Sequence, residues 1–120
     1  MPEQKFIIWG REFELKVIYD CFQTENPTEI QKNAFLNFIK KPELFDDCRY
    51  AVEEYCKKFQ ADIPLDNLFR YIVPQSIFIQ RAEQRIVGIL CVYKFDIEHG
   101  VAIVFKNEKF EKIGPQDIIL

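Results

Sequence analysis

Residues 85–95 read RIVGILCVYKF, and from Ile86 to Phe95 both alternating sets of positions are apolar. Ile86, Leu90 and Val92 form one set; Val87, Ile89, Cys91, Tyr93 and Phe95 form the other. Successive side chains of an extended chain point to opposite faces of its sheet, so such a strand has to be covered on both sides. This one segment requires a sheet with a central strand and a layer of material on each face.

The surrounding segments supply the rest of that sheet. SIFIQ precedes the central run across a turn at RAEQ, and VAIVF, FEKIG and DIIL follow it across turns at DIEHG and KNEK, which reads as a meander. Near the N-terminus, KFIIW and EFELKVIYDCF flank Gly10-Arg11, the spacing of a hairpin with a primed two-residue turn. In its second run Phe13, Leu15, Val17, Tyr19 and Cys21 alternate with the charged Glu12, Glu14, Lys16 and Asp20, apart from Ile18, so that antiparallel strand has one buried and one wet face. Gly114-Pro115 marks a bulge or bend in the last strand.

Between these blocks the apolar period changes to that of a helix. Asn26 is placed to cap, Pro27 to occupy the first helical position and Glu29 to close a capping box, with Ile30, Ala34, Phe35, Phe38 and Ile39 as the apolar stripe. Pro42 opens a second helix whose stripe is Leu44, Cys48, Ala51, Val52, Tyr55, Cys56 and Phe59. A short helix over 66–71 punctuates the connector before Pro74. The expected fold is one α+β domain over residues 1–120, an antiparallel sheet of about six strands with two main helices on one face, in the order ββαα(α)ββββ. Two helices cover one face only. The other needs curvature of the sheet, the N-terminal hairpin or a second subunit, and a twofold homodimer burying sheet against sheet is the favoured solution.

Composition narrows the function classes. A formal charge of −3, with no run of Lys or Arg longer than two, lacks the basic stripe of a nucleic-acid binder. Four cysteines stand far apart, with no CxxC and one histidine in the chain, which disfavours a zinc site; Cys48 and Cys56 lie eight residues apart on one helix, too far to bond. They read as reduced, buried small hydrophobes of a cytoplasmic protein. The apolar run at the N-terminus is four residues long, too short for a signal peptide, and nothing approaches a membrane span. No nucleotide-binding glycine motif occurs, and no nucleophile is set beside a base, so no catalytic residue and no cofactor are expected.

Two groups of side chains remain as candidate sites. Glu43, Asp46, Asp47, Tyr50, Glu53 and Glu54 lie on the second helix away from its apolar stripe. Such a face is ordinarily just solvated, but it also suits a basic protein partner, with Tyr50 as the aromatic anchor. Asp96, Glu98 and His99 offer hard ligands for a divalent cation at a hairpin tip. Turn chemistry accounts for the same letters: Asp96 starts a turn, and Gly100 takes the left-handed conformation before the next strand.

YKFDIEHGVAIVFKNEKFEKIGPQDIIL, with LFRYIVPQSIFI before it, resembles a small bacterial domain family of uncharacterised function. Its members end in D-x-E-H-G-[IV]-A-[IV]-x-F followed by I-G-x-x-D-I. The usual Asn-Gly after that Phe is Asn107-Glu108 here, which argues for a longer or bulged turn. Single-domain relatives of this kind are similar to the immunity proteins that accompany bacterial toxins. The resemblance favours a protein-binding role over an enzymatic one, so the expected function is a cytoplasmic protein-binding domain without catalysis; ligand or metal binding at the Asp96-Glu98-His99 hairpin, read from the residues themselves, is the alternative.

Overall fold

The computed structural model describes residues 3–120. Six strands, β1 (Glu3–Ile8), β2 (Arg11–Tyr19), β3 (Ile72–Ile79), β4 (Ile86–Tyr93), β5 (Val101–Lys106) and β6 (Phe110–Gly114), form one sheet in sequential order. Helices α1 (Glu29–Ile39) and α2 (Glu43–Lys57) intervene between β2 and β3, so the α+β order of elements is as expected. The sheet is mixed, however, and not wholly antiparallel: β2 and β3 run parallel, with Lys16 opposite Ser76 and Tyr19 opposite Ile79. The cause is the helical excursion itself. Antiparallel neighbours can be joined by a tight turn, whereas a long connection that passes over one face can return the chain in its original direction.

The central position of β4 is confirmed by its neighbours, β3 through Ile77–Ile89 and β5 through Ile89–Ile103. Its inner face meets the helices. Phe38 of α1 sits where the sheet curls, with ring contacts to Phe6 of β1 (6.1 Å), Phe105 of β5 (5.2 Å) and Phe45 of α2 (5.7 Å). Its outer face is covered by the chain's own C-terminus. DIIL is not a strand: a 3-10 turn over Gln116–Ile118 carries Ile118 and Ile119 across Phe78, Leu90, Ala102 and Val104. Gly88 makes room for this, since a Cβ there would lie 2.5 Å from Ile119 Cδ1. The N-terminal hairpin takes no part in that cover, because it extends the sheet as its β1 edge.

Several local expectations shift by a residue or two. The first hairpin turns at Trp9-Gly10, with φ of 46° and 83°, instead of Gly10-Arg11, because the indole is anchored by an Nε1–H donated to the Phe45 carbonyl at 2.7 Å. Helix α1 is capped by Thr28 and not Asn26, and its box partner is Gln31 and not Glu29. Gln31 is fully buried, while Ile30, assigned to the apolar stripe, is 37% exposed. Phe59 lies beyond the end of α2 and is half-exposed. The turn at Asn107-Glu108 keeps two residues, both with positive φ, and the irregularity appears one step later as a bulge at Glu111 in β6. A second bulge at Gln75 in β3 accommodates Pro74 within the sheet.

Candidate functional site

Helix α2 owes its orientation to a buried stripe of Leu44, Phe45, Cys48, Val52 and Cys56. Burial pushes the Cys48 thiol up to about 12, and the Cys56 thiol is raised for the same reason, which marks both as packing residues. The opposite face carries the acidic group expected from the sequence, and the structure divides it. Glu53 pairs with Arg49 (3.5 Å) and Glu54 with Lys57 (3.3 Å), both within the helix. Glu43, Asp46 and Asp47 are exposed and have no cationic partner among the described residues. Tyr50, 71% exposed, stands among them. Glu43, Asp47, Tyr50 and Glu54 follow i, i+4, i+7, i+11 spacing, so they line one ridge about 16 Å long.

The sequence reading missed the flank of this ridge. Arg49, held by Glu53, reaches over the Trp9 ring with 5.9 Å to its centroid. Trp9 in turn lies 5.6 Å from Phe69, whose other neighbours are Phe13 at 5.0 Å and the Arg11 guanidinium at 4.7 Å. The β1–β2 hairpin and the 3-10 turn Leu68–Arg70 thereby brace α2 from one side. A tryptophan with φ of 46° adopts a backbone conformation that costs about 1 kcal/mol or more, and the indole hydrogen bond is what holds it there.

Asp96 and His99 are joined by hydrogen bonds, whereas Glu98 bonds to neither and acts on His99 only as a nearby charge. The Asp96 carboxylate accepts from the His99 backbone N–H (3.2 Å) and lies 3.0 Å from Nδ1. These contacts lower the Asp96 pKa, the backbone hydrogen bond foremost, and raise that of His99, chiefly through the side-chain hydrogen bond to Asp96. Gly100 has φ of 60° and donates to the Asp96 carbonyl, as the turn reading expects. The turn also fastens the C-terminal cover: the Gln116 N–H donates to the His99 carbonyl (3.1 Å) and its Nε2 to the Cys91 carbonyl (3.1 Å). Among the described residues no group of three His, Cys, Asp or Glu side chains is arranged to hold a metal ion.

The outer face keeps a groove of about 570 Å³ beside β2 and β3, with Ile18, Val73 and Pro74 as its apolar part and Glu14 and Lys16 beside them. No helix among the described residues is long and apolar enough to cross a membrane.

Residues 3–120 match the family described as Domain of unknown function (DUF6985), and the chain belongs to it. No curated protein and no solved structure matches the chain.

Proposed function

We propose that this member of the family is a non-catalytic, cytoplasmic protein-binding domain, immunity-like in its mode of action, that presents the exposed face of α2 to a basic partner. The observation that carries the reading is Tyr50, a large aromatic side chain at 71% exposure among the exposed carboxylates Glu43, Asp46 and Asp47. Exposed aromatics ringed by charge are the side chains that anchor interfaces, and carboxylates around them speed capture of a basic surface. The braced helix adds preorganisation, since a ridge fixed before encounter loses little entropy on binding. Glu53 and Glu54 serve in this reading as the pairs that hold Arg49 and Lys57 in place. Nucleic acid is not a partner of such a surface, because the phosphate backbone would be repelled.

The test is capture of a partner by the immobilised wild-type domain, repeated with Asp46→Lys/Asp47→Lys and with Tyr50→Ala. All three positions are solvent-exposed, so the fold and its unfolding midpoint should be unchanged. Both variants should lose the captured protein, Tyr50→Ala by about 2 kcal/mol if it is the anchor. Unchanged affinity in the double charge reversal would reject the surface. Thermal unfolding with Ca²⁺, Zn²⁺ or Mn²⁺ tests the alternative reading of the Asp96-Glu98-His99 hairpin: a raised midpoint would show binding to the folded state.

A homodimer would use the groove that the C-terminal cover leaves open, where Glu14 and Lys16 of one copy can meet Lys16 and Glu14 of the other across a twofold axis around Val73 and Val92. Sedimentation at micromolar concentration reads this directly, as twice the 14.4 kDa of the chain or as the monomer mass.

A further inference from the structure

At the end of the sheet remote from the Asp96 turn, the hairpin turns between β3 and β4 and between β5 and β6 meet α1 around a cleft of about 320 Å³. The two turns are fastened to each other. Arg85 donates from Nε and Nη2 to the two carboxylate oxygens of Glu108 (2.7 and 3.0 Å), and the Asn107 N–H donates to the Arg85 carbonyl (2.8 Å). Asn107 Nδ2 donates to Gln84 Oε1 at 3.0 Å. This clamp depends on two non-glycine residues in the left-handed region, Asn107 at φ 51° and Glu108 at φ 58°. A glycine would serve the turn with less strain, but it could not hold Arg85.

The facing wall is α1, which presents Asn33 and Asn37 one turn apart, with Ile30 a turn earlier. Asparagine is a poor helix former, so two of them in one helix stripe weaken α1 relative to alanine. The side-chain hydrogen bonds of α1 are made by Gln31 and Lys32; the carboxamides of Asn33 and Asn37 have no partner among the described residues. Asn33 is exposed and Asn37 half-buried at the wall of the cleft, so both carboxamides are open to a ligand there.

The geometry points to a binding site for a neutral polyhydroxylated ligand, a saccharide of one or two rings, between α1 and the clamped turns. Each carboxamide offers a donor and an acceptor side by side, which complements hydroxyl groups that both donate and accept. Glu108 neutralises the Arg85 cation, and Glu83 adds one carboxylate at the rim, so the cleft has no positive charge to offer an anion. Ile30, 37% exposed, supplies an apolar surface for the C–H face of a sugar ring. The volume lies at the lower end of the roughly 300–1,000 Å³ usual for small-molecule clefts, which suits one or two rings better than a longer chain.

Saturation-transfer NMR of the whole domain with glucose, galactose, mannose, N-acetylglucosamine, cellobiose and maltose at millimolar concentration tests the assignment. Inorganic phosphate and an N-acetyl dipeptide amide serve as competitors. Transfer to at least one sugar, abolished in Asn33→Ala/Asn37→Ala, is the expected result, because loss of two hydrogen bonds weakens binding about tenfold or more. That variant should fold at least as stably as wild type, since alanine is the better helix former. Transfer to none of the sugars, transfer that survives in the variant, or displacement by phosphate would each overturn the proposal. Binding of the dipeptide amide in place of the sugars would overturn it in favour of a peptide.

Discussion

The contact of Ile119 with Gly88 is the point on which the outer layer of the fold can be tested quantitatively. An added Cβ at residue 88 would lie 2.5 Å from Ile119 Cδ1, inside van der Waals separation, and no backbone atom stands as close. Gly88→Ala therefore has two opposing effects. Replacing glycine in a strand interior gains about 0.5–1 kcal/mol through the unfolded chain, whereas displacing a packed isoleucine costs about 1–3 kcal/mol. The net change should be destabilising by about 1–2 kcal/mol. Ile119→Ala alone should cost about 2 kcal/mol, the low end for buried isoleucine, because the short 3-10 segment that carries it lies outside the sheet ladder and can settle into the space. In the Ile119→Ala background the clash is absent, so Gly88→Ala should become stabilising by about 0.5–1 kcal/mol. Urea unfolding of the four proteins gives the coupling energy, expected at about 1.5–3 kcal/mol, with m unchanged if both states remain alike. An equal effect of Gly88→Ala in both backgrounds would mean that Ile119 does not rest on the sheet at this point, and the apolar face of β4 would need another cover.

Four further outcomes follow from particular contacts. In the native state a thiol reagent should label Cys21 alone, with Cys48, Cys56 and Cys91 reacting only after denaturation, because those three are buried and Cys21 is half-exposed. Gln31→Leu should cost about 3 kcal/mol in denaturant unfolding, since it leaves the Asp20 carbonyl and the Thr28 N–H without their side-chain partner inside the protein. Glu108→Gly should be more stable than Glu108→Ala in thermal unfolding: both lose the Arg85 pair, but glycine alone relieves the positive φ, worth about 1 kcal/mol. His99, raised in the folded state by Asp96, adds stability that is complete below its unfolded pKa and is lost as pH rises through the folded value; Asp96, lowered, adds stability present above its unfolded pKa and lost as pH falls through the folded one. The difference in midpoint between wild type and His99→Ala should thus be widest in mildly acidic solution, between the two folded pKa values, and a difference constant from acid to alkaline pH would contradict the pair.

What the sequence made legible follows from how far each signal reaches along the chain. The doubly apolar run of β4 required a covered central strand, and alternation in β2 separated Leu15 and Val17 from Glu14 and Lys16 correctly. Such patterns are local, and burial confirms them. The parallel pairing of β2 with β3 left no mark of that kind, because Lys16–Tyr19 and Ser76–Ile79 are linked across two helices and neither strand's alternation records the direction of its neighbour. The candidate sites divide in the same way. The acidic ridge of α2 is one helical stripe and can be read from spacing, whereas the brace of Trp9, Arg49 and Phe69 and the cleft between Asn37, Arg85 and Asn107 each join three separate segments.

Gln31 shows why such junctions escape a pattern reading and yet hold the fold together. A glutamine beside Ile30 in an amphipathic helix reads as wet, and here it is the fully buried residue of the pair. Its Oε1 accepts from the Thr28 N–H at 2.8 Å, and its Nε2 donates to the carbonyls of Asp20 (3.0 Å) and Ile79 (3.1 Å). The first bond closes the cap of α1; the other two join the ends of the parallel strands β2 and β3, where Asp20 N–H also donates to the Ile79 carbonyl at 3.0 Å. Strands that run parallel leave their last carbonyls at the same edge, directly under the start of the helix that follows β2, and those carbonyls need donors there. A side chain that both accepts at the cap and donates to the strand ends satisfies three backbone groups at once. An isoleucine or leucine, which the apolar stripe invites, would satisfy none. The parallel pairing and the burial of Gln31, neither of which the sequence pattern disclosed, therefore meet at the two strand-end carbonyls, and a chain whose β2 and β3 ran antiparallel would leave Gln31 its cap bond without that pair of acceptors.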